Sequence, residues 1–245
     1  MNIKAFIVLS ISCFLVHCTN KKLNIVQPES IDGFIYKNTF DTAKNLDLGT
    51  FNIKKKIHKN SLFFNALDSS YTCLKKEIKP SENFTVSLWI MPEFFGRNGT
   101  ILTLSKNVKD FPIQSSISLF MSKNRVAFMQ SGKDLRKVNY TNQNNFTPYF
   151  MGLKELNVGE TYFLTYRYEA GTVKIFVDGN LYAQYKNVPL LTDMNYITLG
   201  ASWNNKGNKF HFNGYMDDLY IYNKALSQDE INSLMDFTHV YQYAK

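Results

Sequence analysis

The sequence predicts an all-β fold, either a sandwich or a barrel, closed by a short C-terminal helix. Short runs rich in β-branched and aromatic residues recur along the 245 residues, and aromatic residues make up 15% of the chain. Within these runs apolar and polar residues alternate with the period of a strand, and turn-forming residues separate one run from the next. A chain of this length can bury one such core without division into domains.

The N-terminal segment is predicted to be an export signal and no part of the fold. An apolar run at 5–16 follows a lysine and precedes Cys18, and it is too short for a stable membrane span. Residues 15–18, Leu-Val-His-Cys, resemble the lipobox of bacterial lipoproteins, although a small residue normally occupies the position of His17. The sequence therefore predicts a lipoprotein-type signal peptide at 1–17 and lipidation of Cys18, and the alternative is plain secretion.

Residues 18–30 are predicted to be a tether and residues 31–245 the folded domain. Strand periodicity is clearest at 84–90 and 162–168, where every second residue is apolar, so one face of each strand should cover the core. The predicted strands are 33–37, 61–65, 71–78, 84–91, 100–105, 116–121, 125–130, 161–169, 172–178, 181–186, 196–200 and 211–222. Cys73 lies in one of these strands and is expected to be a buried structural thiol.

The last third of the chain contains the most specific local signals. Asp178-Gly179 lies between two strand patterns and can adopt the positive backbone angles of a tight hairpin turn. Ser227 and Glu230 have the spacing of a capping box, which predicts a helix that begins there and ends near Asp236.

Two loops interrupt the strand pattern. The segment 131–159 contains several asparagines and a proline, and the segment 202–209 reads Ser-Trp-Asn-Asn-Lys-Gly-Asn-Lys. Loops at the rim of a β-sandwich often carry recognition, so we expect these two to contact a ligand.

Several of these segments occur together in one known family. The C-terminal ones are 176–179 (Phe-Val-Asp-Gly), 197–200 (Ile-Thr-Leu-Gly), 212–218 (Phe-Asn-Gly-Tyr-Met-Asp-Asp) and 225–231, and the early strands are 60–65 and 84–90. Together they resemble the laminin-G-like, concanavalin A-like lectin/glucanase superfamily over about residues 33–235, which implies an antiparallel two-sheet jelly-roll sandwich. Asn65 stands where the family has an acidic residue, and Tyr162 where it has a tryptophan.

The resemblance implies a binding role for the rim loops. Lectins stack sugar rings on exposed aromatic side chains and contact hydroxyl groups with Asn, Asp and Gln. The candidate ligand contacts are Trp203, Asn204, Asn205, Tyr140 and Tyr149. We expect non-catalytic recognition of a carbohydrate or glycoconjugate, and the alternative is a protein-binding adhesin or an accessory subunit of an envelope complex.

The resemblance also implies a calcium ion at the edge of the sandwich. Asp47, Asp217 and Asp218 are the candidate ligands, since calcium binds carboxylate and carbonyl oxygens. Asn65 would weaken a site that depends on an acidic residue at that position. The alternative is a structural role, in which Asp217 accepts hydrogen bonds from nearby backbone.

Catalysis is not expected. Glycoside hydrolases of this fold place two carboxylates on one strand so that both face the cleft, and the chain has no Glu-x-Asp-x-x-Glu run. Asp217 and Asp218 are adjacent, so on a regular strand their side chains would point to opposite faces.

The net charge of +8 gives a further indication of partners. Nucleic-acid binding is not expected, since the chain is predicted to be exported and has no arginine-rich or RNA-binding motif. Basic clusters such as residues 54–56, three lysines in a row, indicate solvated surface or attraction to acidic glycans and anionic phosphates. The expected location is outside a bacterial membrane, on the outer membrane or cell surface, with a lipid anchor.

Overall fold

The computed structural model describes residues 27–41, 48–67, 70–78, 83–94, 98–106, 115–132, 149–151, 155–188, 190, 194–203 and 209–243. The strands within this part of the chain are β1 (Phe34–Asn38), β2 (Leu48–Thr50), β3 (Asn52–Lys55), β4 (Asn60–Phe64), β5 (Tyr71–Ile78), β6 (Asn83–Pro92), β7 (Gly99–Ser105), β8 (Ser115–Ser122), β9 (Arg125–Gly132), β10 (Tyr149–Met151), β11 (Tyr162–Glu169), β12 (Thr172–Val177), β13 (Asn180–Tyr185), β14 (Met194–Leu199), β15 (Ala201–Trp203), β16 (Lys209–His211) and β17 (Gly214–Tyr222). A short 3-10 helix at Pro28–Ser30 precedes them, and the helix α1 (Gln228–Tyr243) follows.

The strands form two sheets, as predicted. The first sheet has the order β13-β12-β11-β6-β17-β4-β3, and β1 also pairs with β17. The second has the order β10-β9-β8-β7-β14-β5-β2, and the β15–β16 pair joins it through β7. All pairings are antiparallel apart from a single parallel bridge between β16 and β7. The described strands confirm the antiparallel two-sheet sandwich.

The main core lies between the two sheets and follows the predicted alternation. Phe84, Val86, Leu88 and Ile90 of β6 all belong to it, as do the even-numbered residues from 162 to 168 of β11. Each fully buried large apolar side chain contributes roughly 1.5–3 kcal/mol to folding, so these strands supply much of the stability. Cys73 is also buried, as predicted.

A second apolar cluster covers the opposite face of the first sheet. Trp89 and Phe163 contribute to it from the sheet, and Ile231 and Leu234 contribute from α1. The Trp89 indole Nε1 donates a hydrogen bond of 2.8 Å to Thr238 Oγ1, which fixes the helix to the central strand β6. The helix therefore covers the part of the outer face that β6 and β11 form.

The helix begins as predicted and ends later. Ser227 N donates to Glu230 Oε2 at 2.8 Å and Glu230 N donates to Ser227 Oγ at 3.2 Å, which is the predicted capping box. The prediction that the helix ends near Asp236 is wrong, because α1 continues to Tyr243. No glycine or proline interrupts that extension, and Phe237 and Thr238 are buried within it.

Other differences concern short strands. The predicted strand 211–222 is interrupted, since β16 ends at His211 and β17 begins at Gly214. β10 lies inside the segment 131–159, which was predicted to be a loop. The strands β2 and β3 were not predicted. Among the described residues, no helix combines the length and apolar character needed to cross a membrane.

Candidate binding site

The structure describes only part of the predicted ligand site. Tyr140, Asn204 and Asn205 lie outside the described residues, as do Cys18 and Asp47.

Two predicted contacts fall on strands. Tyr149 is the first residue of β10, where its backbone pairs with Met129, and Trp203 is the last residue of β15, where it pairs with Lys209. The strands β8 and β9 lie between β10 and β7, the strand that β16 joins. The sheet order therefore does not make β10, which carries Tyr149, a neighbour of β15, which carries Trp203. The role of these two residues in ligand binding stays a prediction.

Asp217 and Asp218 lie on a β-bulge in the central strand β17. Met216 and Leu219 are three positions apart, so on a regular strand their side chains would point to opposite faces. Both point into the main core, so one extra residue is inserted between them. The pairing of β17 with β6 shifts at this point, and Asp218 has a φ of +47°. The prediction that the two carboxylates point to opposite faces is wrong, because one oxygen of each lies within 4.8 Å of a His58 ring nitrogen and of the other.

The cluster of His58, Asp217 and Asp218 is held together by hydrogen bonds. Asp217 Oδ2 accepts from Ser61 Oγ at 2.9 Å and from His58 N at 3.2 Å. Asp217 Oδ1 accepts from Asp218 N at 2.9 Å, and His58 Nδ1 lies 3.0 Å from Asp218 Oδ2. All four residues are buried. Burial raises the pKa of Asp217 to about 9, the nearby Asp218 charge adds to the rise, and the three hydrogen bonds to Asp217 oppose it.

This cluster does not fit calcium. Calcium takes six to eight oxygen ligands. The cluster offers two carboxylates and an imidazole nitrogen, and the Asp217 oxygens already accept three hydrogen bonds. The His58 ring also packs edge-on against Trp89, with 5.1 Å between ring centroids. The contacts agree with the structural alternative given above for Asp217, which accepts hydrogen bonds from the backbone of His58 and Asp218. Both side chains are fully buried, so neither is exposed to a substrate in this structure.

An open cleft of about 590 Å³ lies where the β12–β13 hairpin meets α1. It is lined by Asp178, Gly179, Asn180, Leu181, Gln228, Asn232, Met235 and Asp236. We call it the hairpin–helix pocket. Among the described residues, its lining has five amide or carboxylate side chains and contains no lysine, arginine or histidine.

The walls of the hairpin–helix pocket are fixed by hydrogen bonds and close packing. Asp178 and Gly179 have φ angles of +50° and +72°, as predicted for the turn. Asp178 Oδ1 accepts from Phe163 N at 2.8 Å, which fixes the turn to β11. Gln228 Nε2 donates to the Gly179 carbonyl oxygen and, at 3.1 Å, to Asn232 Oδ1. A Cβ atom at Gly179 would collide with Asn232 Oδ1, so hairpin and helix are in direct contact.

The sequence predicts the two elements that form the hairpin–helix pocket, but it does not predict the pocket itself. The hairpin turn and the helix cap were each predicted, but their contact depends on where α1 packs on the first sheet. Asn180 and Leu181 follow the turn, and the exposed fraction of Leu181 is 54%, so an apolar side chain stands in water beside polar ones. An exposed leucine after a hairpin turn is the one local signal that marks this position.

Comparisons with known proteins agree with the fold. The family model of the concanavalin A-like lectin/glucanases superfamily matches residues 67–232. A solved structure of domain 4 of AbnA, a GH43 extracellular arabinanase from Geobacillus stearothermophilus in complex with arabinotriose, is similar, with a TM-score of 0.62 and 19% identity. That match covers 82% of this chain and 97% of the arabinanase domain.

Binding domains of botulinum neurotoxins are also similar in fold. The domain of neurotoxin DC in complex with rat synaptotagmin II matches with a TM-score of 0.55 and 18% identity. A structure of neurotoxin type C, whose cell entry depends on two ganglioside molecules, matches with a TM-score of 0.56 and 18% identity. Each match covers 78% of this chain and 45% of the toxin chain, so this chain corresponds to less than half of those domains.

A comparison with curated proteins gave no significant match. The family model covers two thirds of the sequence, and both sheets and the C-terminal helix agree with it. The chain belongs to the concanavalin A-like lectin/glucanase superfamily, in its laminin-G-like form.

Proposed function

We propose that the protein is a non-catalytic binding module of the cell envelope that recognises a neutral oligosaccharide at the hairpin–helix pocket. The observation that carries this proposal is the lining of the pocket, which combines five amide or carboxylate side chains with Leu181 and Met235 and includes no cationic group. Amide and carboxylate groups bind sugar hydroxyls, and apolar side chains contact the C–H face of a sugar ring.

The pocket has the rigidity that recognition of a small sugar requires. Its turn is fixed by the Phe163–Asp178 hydrogen bond and its helical wall by the capping box. A wall that is ordered before binding loses little conformational entropy when the ligand arrives. The arabinotriose complex of the similar arabinanase domain supports including pentose oligomers among the test ligands.

Attachment to a bacterial membrane through Cys18 is part of the proposal. The lipobox resemblance of residues 15–18 supports it. Metabolic labelling of cells with a lipid precursor tests it, since Cys18→Ala should abolish incorporation into this protein. Incorporation that persists in the Cys18→Ala variant would contradict the anchor.

Protein binding is the second candidate function, and one observation favours it. Phe94 and Val158 are large apolar residues with exposed fractions of 64% and 50%. Their segments are joined by a 2.7 Å hydrogen bond from Gly159 N to the Pro92 carbonyl oxygen, so the two side chains lie at the same rim. Exposed apolar patches at a rim are typical of protein-binding surfaces, which would suit an adhesin or an accessory subunit.

A glycan array with the purified protein tests the two functions against each other. We expect binding to neutral oligosaccharides, and a loss of about tenfold in affinity for Asn180→Ala, the size of one or two lost hydrogen bonds. Asn157→Ala, an exposed asparagine outside the pocket, is the matched control and should bind like the wild type. No binding across the array, together with binding to a protein in a matrix extract that Phe94→Ser abolishes, would contradict the proposal and support the second function.

A further inference from the structure

We propose that the outer face of the first sheet carries a second binding surface, for an acidic polysaccharide. This surface, the cationic aromatic face, consists of Asn52, Lys54, Lys56, Phe63 and Tyr215. It is separate from the hairpin–helix pocket in position and charge.

Strand pairing places these residues on one face. Asn52 lies opposite Phe63 in the β3–β4 pair, and Tyr215 lies opposite Phe63 in the β17–β4 pair. Ile53 and Leu62, their neighbours along the two strands, pack toward the main core. Because strand side chains alternate, Asn52, Lys54 and Phe63 point away from that core. β3 ends the sheet, so nothing described flanks this face on its outer side.

The two ammonium groups are held by aromatic rings. Lys54 Nζ lies 3.7 Å from the centroid of the Phe63 ring, and Lys56 Nζ lies 5.8 Å from that of Tyr215. The two rings pack against each other with 4.8 Å between centroids. Cation–π contacts limit the conformations of the lysines, so less conformational entropy is lost when they bind an anion.

Lys54 and Lys56 have no carboxylate partner among the described residues, unlike two other lysines of the structure. Lys37 pairs with Glu29 at 2.8 Å and Lys224 pairs with Glu230 at 2.6 Å. Lys54 and Lys56 are exposed and form no described ion pair. An aromatic ring leaves the ammonium charge uncompensated, so it is available to a ligand.

An acidic polysaccharide matches this arrangement better than a single anion. Two cations, each near one ring of the Phe63–Tyr215 pair, suit a chain that carries carboxylate or sulfate groups on successive sugars. The exposed Asn52 amide adds a group that can bind hydroxyls. The net charge of +8 attracts a polyanion from a distance. Burial, and then the charge of Glu93, raise the pKa of Tyr215. Because the Glu93 carboxylate would repel an anionic ligand, it bounds the surface on the Tyr215 side.

The test compares two double variants that remove equal charge. Lys54→Gln/Lys56→Gln removes the two cations of the face, and Lys123→Gln/Lys186→Gln removes two exposed lysines elsewhere. Binding of the purified protein to polygalacturonate, chondroitin sulfate, neutral dextran and vesicles containing phosphatidylglycerol is measured at several salt concentrations. We expect the wild type to bind the two acidic polysaccharides, more weakly as salt rises. Any binding to neutral dextran should depend neither on salt nor on Lys54 and Lys56.

The expected result is about a tenfold loss of affinity in Lys54→Gln/Lys56→Gln and less than a twofold loss in the control pair. Phe63→Leu, which keeps apolar packing but removes the ring under Lys54, should give a smaller loss. Equal losses in both double variants would mean that net charge alone acts, and no binding of the wild type to either polysaccharide would overturn the proposal. Lysine-dependent binding to vesicles that exceeds binding to the polysaccharides would assign the surface to a membrane instead.

The neutral-glycan function is tested separately. Lys54→Gln/Lys56→Gln should bind neutral oligosaccharides like the wild type, and Asn180→Ala should bind polygalacturonate like the wild type. Failure of either proposal is therefore visible while the other stands.

Discussion

The Asp217 carboxyl group accepts three hydrogen bonds inside the first sheet, and its removal should be among the most destabilising single changes in the protein. Alanine at this position would leave Ser61 Oγ, His58 N and Asp218 N without this acceptor in a buried site. An unsatisfied buried donor costs about 1–3 kcal/mol. We therefore expect Asp217→Ala, which strands three such donors, to lower the free energy of unfolding by about 3 kcal/mol or more.

Asparagine is the matched control for Asp217. It has the same shape and keeps one acceptor oxygen, which can serve Ser61 Oγ and His58 N, but its amide group faces Asp218 N and loses that bond. The cost should be about 1–2 kcal/mol. For a domain of this size 1 kcal/mol corresponds to about 2–4 °C in melting temperature. Urea denaturation and calorimetry measure both quantities.

The difference between the two variants is the critical result. Equal costs for Asp217→Ala and Asp217→Asn, or costs below about 1 kcal/mol for both, would refute the assignment of three buried hydrogen bonds to this carboxylate. An alanine variant that accumulates no folded protein, beside an asparagine variant that folds, would support the predicted difference in a stronger form.

Three further predictions concern stability. The wild type should become less stable as pH rises from 5 to 8, because folded Asp217, with its pKa raised to about 9, keeps a proton that the unfolded chain, with the ordinary value of 3.8, releases. This group lowers the free energy of unfolding by at most about 1.4 kcal/mol per pH unit, and the same pH dependence in Asp217→Asn would contradict the prediction. Trp89→Phe and Thr238→Val should each cost about 1–2 kcal/mol, and the double variant should cost less than their sum because both remove the same hydrogen bond; strict additivity in urea denaturation would count against that bond. Ser227→Ala should cost about 1 kcal/mol by removing one half of the capping box, and calorimetry showing no loss would mean that α1 is stabilised by packing alone.

Local chemistry explains why much of the fold could be predicted from the sequence. Alternation over residues 84–90 and 162–168 identifies core strands because both patterns depend only on side-chain period. The Asp178-Gly179 turn and the Ser227–Glu230 cap are likewise fixed by the residues themselves. These features carry the family resemblance, and the structure confirms them.

The features that were missed depend on contacts between distant parts of the chain. The bulge at Asp217 and Asp218 interrupts a strand whose sequence looks regular, and it is stabilised by Ser61 and His58, which lie over 150 residues earlier. The strand β3 contains two lysines among its four residues, so its pattern resembles a loop until its pairing with β4 is known.

The candidate site was predicted least well for the same reason. The predicted rim loops fall largely outside the described residues, whereas the hairpin–helix pocket forms only because α1 packs beside the β12–β13 turn. Neither Asn180 nor Asn232 has a local pattern that indicates ligand binding. Tertiary packing, and no motif, places them together.

Recognition of a neutral oligosaccharide at the hairpin–helix pocket is the central claim, and backbone amide NMR tests it most directly. The purified protein would be titrated with neutral oligosaccharides, arabinotriose among them. We predict saturable shifts at Asn180, Leu181, Asn232 and Asp236, with smaller shifts beyond the pocket. Saturable shifts confined to another surface, or no shift with any neutral oligosaccharide, would contradict the account.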